Sequence, residues 1–236
     1  MQKLLSALFL AAITSSAVPA ERFVQWHSTN IQLLWGSKYE VGPERRTVAT
    51  FEHANGWKFG DFFMFVDQTW PESGESAYYT GISPRLSLGK MTGRALSYGV
   101  IKDVLIASTL EKPKDQTETY LYGAGVDLEL PGFQFFNANA YVRDHPDLNG
   151  QTYQLTLAWS RPFKVGRRGF VVEGFADFAG EEEAAVANQL IVPRLLADLG
   201  ELINRGAGNV WLGIEWQYWR HTFGIKATTE SVPSCS

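Results

Sequence analysis

Apolar and polar residues alternate along most of this chain with a period of two. In 78–89 the even positions are Tyr78, Thr80, Ile82, Pro84, Leu86 and Leu88, and the odd ones are Tyr79, Gly81, Ser83, Arg85, Ser87 and Gly89. Successive side chains of a strand point to opposite faces, so this pattern predicts a strand with one apolar and one small or polar side. The same reading holds for 120–130 (Tyr120, Tyr122, Ala124, Val126, Leu128 and Leu130 against Gly123, Gly125, Asp127 and Glu129). It also holds for 133–143, 150–160 and 210–219. Ile31, Leu33 and Trp35 mark a first strand near 29–38. The stretches 46–54, 57–67, 99–110, 169–179 and 188–198 are β-branched and aromatic, and their parity is ambiguous. The pattern thus predicts eleven strands.

The spacers are turn-like. Asn55-Gly56 is a strong two-residue hairpin signal, and Pro131-Gly132 is a second tight turn. Polar loops fall at 39–45, 68–77, 111–118, 144–149 and 180–187, while 90–98, 161–168 and 199–208 are longer connections containing Gly, Arg or Lys. Tight turns at one end and longer loops at the other are the layout of an outer-membrane barrel. Ile82-Ser-Pro-Arg-Leu86 is echoed by Ile191-Val-Pro-Arg-Leu195, which reads as two tolerated strand kinks with an arginine pointing inward.

Composition narrows the class. Of the 236 residues, 45% are hydrophobic, 14% aromatic and 19% charged, with a mean hydropathy of −0.14. That is too polar for a helical membrane protein, and the net charge of −4 excludes nucleic acid as the main partner. A single cysteine, Cys235, excludes a disulfide framework. Residues 1–20 read as a secretory signal peptide. Lys3 supplies the charge, 4–13 the apolar stretch, and Val18-Pro-Ala20 the small residues before a cut at Glu21. The barrel would then be 21–236. Two features favour a barrel over a soluble sandwich. Aromatics sit near strand ends (Trp35, Tyr78, Tyr79, Tyr120, Tyr122, Trp159, Trp216, Tyr218, Trp219), as in the two girdles of a barrel. The opposite faces carry Arg85, Asn137, Asn139 and Glu173, which would be costly in a dry core and cheap in a wet lumen.

The run Thr50-Phe-Glu-His-Ala-Asn-Gly-Trp-Lys-Phe-Gly-Asp61, followed by Phe62-Phe-Met-Phe-Val-Asp67, resembles the nucleoside-specific channel family of Gram-negative outer membranes, the Tsx-like and OmpK-like porins. Ser87-Leu-Gly-Lys90, Glu173-Gly-Phe-Ala-Asp177 and Gly213-Ile-Glu-Trp-Gln-Tyr-Trp219, with Phe223-Gly-Ile225, are similar to it in the same order. The resemblance runs from about Asn30 to Pro233. It implies an all-β, antiparallel, monomeric transmembrane β-barrel of twelve strands with both ends in the periplasm. It also implies passive nucleoside uptake and loops open to phage or colicin. Lipopolysaccharide, outer-membrane lipid and the barrel assembly machinery are the other implied partners. The family's last strand follows Glu230-Ser-Val-Pro233 and ends in an aromatic residue, whereas here Ser234-Cys235-Ser236 follows. The expectation is therefore a last strand that is missing or truncated, with closure in doubt.

Twelve strands lie between side-chain-filled eight-stranded barrels and wide porins, so a narrow pore for small solutes is expected. Bases stack on aromatic rings, and sugar hydroxyls need amides and carboxylates. Candidate lumen contacts are the aromatics Tyr79, Phe135, Tyr141 and Trp211, together with Arg85, Asp127, Asn137, Asn139, Glu173, Asp177, Arg194, Glu215 and Gln217. Arg85 and Arg194 read equally well as salt-bridge braces of the wall. Glu173 and Asp177 share a wall, at a parity that Phe175 leaves open. His27, His53, His145 and His221 all fall at strand ends or in loops. No Gly-x-Ser-x-Gly or metal-ligand spacing occurs, so neither an enzyme nor a metal or cofactor is expected. Glu181-Glu-Glu183 reads as a solvated loop or a divalent-ion site at lipopolysaccharide. A general porin, a porin of other specificity, and a surface receptor with a largely closed lumen remain alternatives.

Overall fold

The computed structural model describes residues 16–17, 23–39, 41–226 and 228–235. Twelve strands follow in chain order: β1 (Val24–Ser37), β2 (Arg45–Trp57), β3 (Gly60–Pro71), β4 (Ala77–Ser87), β5 (Ile101–Pro113), β6 (Thr119–Leu128), β7 (Phe135–Asp144), β8 (Thr152–Val165), β9 (Arg168–Ala179), β10 (Asn188–Asp198), β11 (Trp211–Arg220) and β12 (Thr229–Cys235). Each pairs antiparallel with its neighbours, and β12 returns to β1, so the sheet closes. Closure removes the edges that would expose unpaired backbone to lipid. One short helix, Leu88–Thr92, follows β4, and a 3-10 turn, Thr222–Gly224, follows β11. No helix among the described residues is long and apolar enough to cross a membrane. The expected signal peptide lies outside the described residues, apart from Ser16–Ala17, which pairs with His27 and Trp26.

The last strand is present, contrary to the expectation of a missing one. β12 pairs with β11 over seven positions and with β1 at Ser234↔Gly36 and Cys235↔Trp35. Val232 (0% exposed) and Ser234 (3%) face inward, and Pro233 and Cys235 face out. The strand is short, polar and interrupted by proline, and no aromatic ends it, so its periodicity is faint in the sequence. Cys235 and Trp35 are direct cross-strand partners. Such pairs hold their Cα atoms about 4.5–5.5 Å apart, within disulfide range. Trp35→Cys is therefore expected to form an internal disulfide with Cys235 on oxidation, seen as a change in gel mobility that a thiol reductant reverses. An open seam would give only free thiols.

Two turn expectations need correction. Asn55-Gly56 is not a hairpin turn: both residues lie inside β2, opposite Phe62 and Asp61, and the chain reverses at Lys58-Phe59. The Trp26 indole lies where a Cβ on Gly56 would project, so this glycine serves packing rather than the turn. Both two-residue turns do fall at one rim, but that rim is not uniformly tight. The connections at the rim opposite the chain ends span five to eight residues (38–44, 72–76, 114–118, 145–151, 180–187, 221–228). The rim bearing the chain ends mixes the two-residue turns 58–59 and 166–167 with 129–134 and the long segments 88–100 and 199–210. Pro131-Gly132 does turn as expected, with Gly132 at φ 83°.

Register settles the faces. Because side chains alternate, one pairing fixes the parity of every strand around the ring. The outward face is the apolar one, and it is also the exposed one: Tyr153 is 66% exposed, and Ile31 and Ile214 are each 57%. Inward residues are the buried ones, with Arg85 at 7%, Gln154 at 5% and Asn139 at 6%. This inverts the layout of a water-soluble domain and matches a barrel whose outside meets hydrocarbon. Trp35, Trp70, Tyr78, Tyr120, Tyr122 and Tyr153 form an outward ring near one rim. Tyr79 and Trp219 face inward and belong to the lumen rather than to a girdle.

Candidate functional site: the barrel lumen

All thirteen sequence-derived lumen candidates lie on the inward face, and three arginines organise most of them. In the first cluster the Arg85 guanidinium donates to both oxygens of Asp61 at 2.8 Å. It also pairs with Asp127 at 3.0 Å and donates to Asn139 Oδ1 at 3.3 Å. The amide of Asn137, oriented to donate, reaches Asp127 Oδ1 at 3.0 Å. This cluster ties β3, β4, β6 and β7 together near the rim that bears the chain ends. In the second, Arg194 meets Glu52 at 3.4 Å and Glu173 at 3.3 Å, and donates to Gln32 Oε1. Asn30 Nδ2 donates to Glu52 at 2.9 Å, and Glu215 stands opposite Arg194 on β11. The third cluster lies nearer the opposite rim. Arg143 donates to Glu111 at 2.9 Å and to Gln154 Oε1 at 2.8 Å. Asp177 accepts from Thr156 at 2.5 Å and from Gln154 at 3.3 Å.

The two Pro-Arg echoes have a common structural cause. Around Pro84 the β4–β5 ladder skips from Ile82↔Leu110 to Arg85↔Ala107, and around Pro193 the β10–β11 ladder skips from Ile191↔Tyr218 to Arg194↔Glu215. Proline cannot donate to a ladder, so each gap is local and the register survives it. Both prolines face out, and both arginines turn into carboxylates. Each guanidinium is held by several wall residues, which is the bracing arrangement.

The aromatic surfaces lie between these clusters. Phe65 and Tyr79 face inward with ring centroids 5.7 Å apart, and Tyr79 neighbours Glu111 and Arg143. Trp219 packs on Phe223 at 4.3 Å, and its indole N–H is buried without a hydrogen-bond partner. Tyr141 packs with Ala107 and Leu121 and accepts from Thr109 at 3.5 Å, narrowing one wall. Phe175 does share the inward face with Glu173 and Asp177, as its spacing requires. Phe135 and Trp211 stand apart at the chain-end rim, where Trp211 Nε1 donates to Gly208 O at 3.1 Å. Gln217 sits at the β10–β11 ladder gap rather than in a cluster.

Sequence reasoning missed half of the brace residues. Asp61, Glu52 and Asp67 lie on strands of ambiguous parity, and Glu111 falls in the stretch 111–118 that reads as a loop but continues the strand to Pro113. Arg143 follows directly from the odd face of 133–143, and its alternation with Asn139 and Tyr141 could have revealed it. His27 and His53 face outward, with ring centroids 6.5 Å apart, and Thr29 meets His53 Nδ1 at 2.8 Å. No group of three or more potential metal ligands occurs among the described residues. At the opposite rim, Glu183 accepts from the backbone and side chain of Asn149 at 2.9 Å. These bonds hold its carboxyl below the usual carboxylate range and link two loops.

Comparison with known proteins agrees with this geometry. Residues 23–229 match the family described as nucleoside-specific channel-forming protein, Tsx. Outer membrane protein OmpK of Vibrio parahaemolyticus is 25% identical, over 75% of this chain and 76% of its own. OmpK from a second strain of that species is 23% identical, over the same shares. Both relatives carry an outer-membrane name, and the barrel presents an apolar belt to match. The chain belongs to the Tsx family of channel-forming proteins of the bacterial outer membrane.

Proposed function

We propose that this chain is a passive channel for small uncharged solutes with nucleosides as its preferred class. The observation that carries this reading is the lumen wall, where aromatic faces (Phe65 with Tyr79, Tyr141, Trp219 with Phe223) alternate with carboxylates and amides. A flat base gains about 1–3 kcal/mol from stacking on such a ring. A ribose finds acceptors in Asp177 and Glu215, and the unpartnered Trp219 N–H is a ready donor. Arg85, Arg143 and Arg194 are neutralised within the wall, so none of these three guanidiniums stands ready for a phosphate. The uncharged nucleoside suits that lumen better than the nucleotide. The chain is exported with residues 1–20 as its signal peptide, inserted by the barrel assembly machinery, and sits as a monomer among lipid and lipopolysaccharide. Phage or colicin would meet its loops.

Swelling of proteoliposomes containing the refolded barrel tests the reading. Adenosine is expected to enter several-fold faster than sucrose. Equal rates would favour a general porin, and no entry of either would favour a receptor with a closed lumen.

A further inference from the structure

One charged side chain of the outer wall sits among aromatic rings rather than at a strand end. Arg161 lies on the outward face of β8, between the outward Trp159 and Phe163 and opposite Val172 of β9. It makes no ion pair among the described residues, and its guanidinium lies beside Gly132, 5.7 Å from the Phe133 ring. It borders a groove of about 630 Å³ lined by Phe133, Phe136, Leu157, Trp159, Phe163 and Val172. The groove has a built floor: Phe133 meets Phe136 edge-on at 5.7 Å, and Phe136 stacks on Trp159 at 6.5 Å. β8 and β9 run past the start of β7, so the groove opens at the chain-end rim, where the hairpin carries exposed Lys164, Arg167 and Arg168.

An arginine facing hydrocarbon is costly unless it snorkels to an anion at the interface. An apolar slot ending at an unpaired guanidinium matches an amphiphile with one acyl chain to lay down and one phosphate to present. We propose that this groove holds an anionic glycerophospholipid, its acyl chain along Phe136, Trp159 and Phe163 and its phosphate on Arg161. The charge complementarity is local. Arg161 supplies the single contact to phosphate, and the hairpin cations reinforce it through the field near the membrane surface. A lipid A headgroup, with two phosphates and many chains, asks for several cations in contact and a broader slot.

Native mass spectrometry of the intact barrel tests this, after equilibration with phosphatidylglycerol and phosphatidylcholine of identical chains. Folding of each variant is checked by heat-modifiable gel mobility. One retained phosphatidylglycerol is expected. Arg161→Gln is expected to lower the preference for it about five-fold, the share of one cation near the surface. Lys102→Gln, which removes another exposed cation at the same rim, is expected to leave the preference unchanged. Val172→Trp fills the groove while keeping the charge, and is expected to weaken retention of both lipids. No headgroup preference, an equal loss in Lys102→Gln, or full retention in Val172→Trp would overturn the proposal. So would displacement of phosphatidylglycerol by lipid A at equal concentration.

Discussion

Replacing Arg194 with alanine is expected to destabilise the folded barrel by about 3–5 kcal/mol, the cost of leaving largely buried carboxylates without their cation. Arg194 is 14% exposed and its partners Glu52 and Glu173 are 18% and 26% exposed, so solvent screens little of the loss. The position adds a second cost. Arg194 stands on β10, and Gln32 and Glu52 stand on β1 and β2, so the cluster spans the seam closed by the short β12. β12 supplies only two pairs to β1, and a side-chain brace across it carries part of the closure. Urea titration followed by gel mobility would read the change. The triple variant Arg194→Ala, Glu52→Gln, Glu173→Gln should recover a large part of it, because the stranded charges go with the arginine. By contrast, Arg45→Ala should have almost no effect. Its pair with Glu72 is 55% and 62% exposed, and such surface pairs contribute little.

The second large effect is on ion selectivity. Among the described residues the inward strand faces carry the carboxylates of Glu52, Asp61, Asp67, Asp103, Glu111, Asp127, Glu173, Asp177, Asp198 and Glu215 against the cations of Arg46, Arg85, Arg143, Lys164 and Arg194. Ten against five leaves a formal surplus of five negative charges in a narrow passage with low-dielectric walls. Such walls focus the field to several kT. The open channel should therefore favour potassium over chloride by about ten-fold in permeability. Reversal potentials under a salt gradient read this directly, and a ratio near one would show that these carboxylates do not face the conduction path. Asp67→Asn and Asp177→Asn should each lower the ratio, since neither has an arginine within salt-bridge distance among the described residues.

Most of the barrel was legible because a membrane barrel alternates more strictly than a soluble sheet. Lipid rewards an apolar outer face at every rung, so Tyr120, Tyr122, Val126 and Leu128 declare their side without help from the rest of the chain. Ten of the thirteen lumen positions followed from that parity; Glu173, Asp177 and Arg194 lie on strands whose alternation is ambiguous. What parity does not contain is pairing across the ring. The union of Arg194 with Glu52 joins residues 142 apart in sequence, and no local pattern announces it. Where both faces carry aromatics, as in Phe62-Phe63-Met64-Phe65, alternation cancels and Asp61 and Asp67 go unplaced. The Asn55-Gly56 signal misled because a glycine chosen for ring packing looks the same as one chosen for a turn. β12 was hidden for the opposite reason. Among its described side chains Val232 and Ser234 are the buried ones, and the outward Pro233 removes the usual mark of a strand.

The most direct measurement is single-channel current through the refolded chain in a planar bilayer with adenosine added stepwise. Discrete conductance steps that adenosine reduces in a saturable manner are the expected result, since a nucleoside stacked in a narrow lumen blocks ions while it is bound. Steps of unchanged size at saturating adenosine would contradict nucleoside binding in the lumen, and an absence of steps would contradict the channel itself.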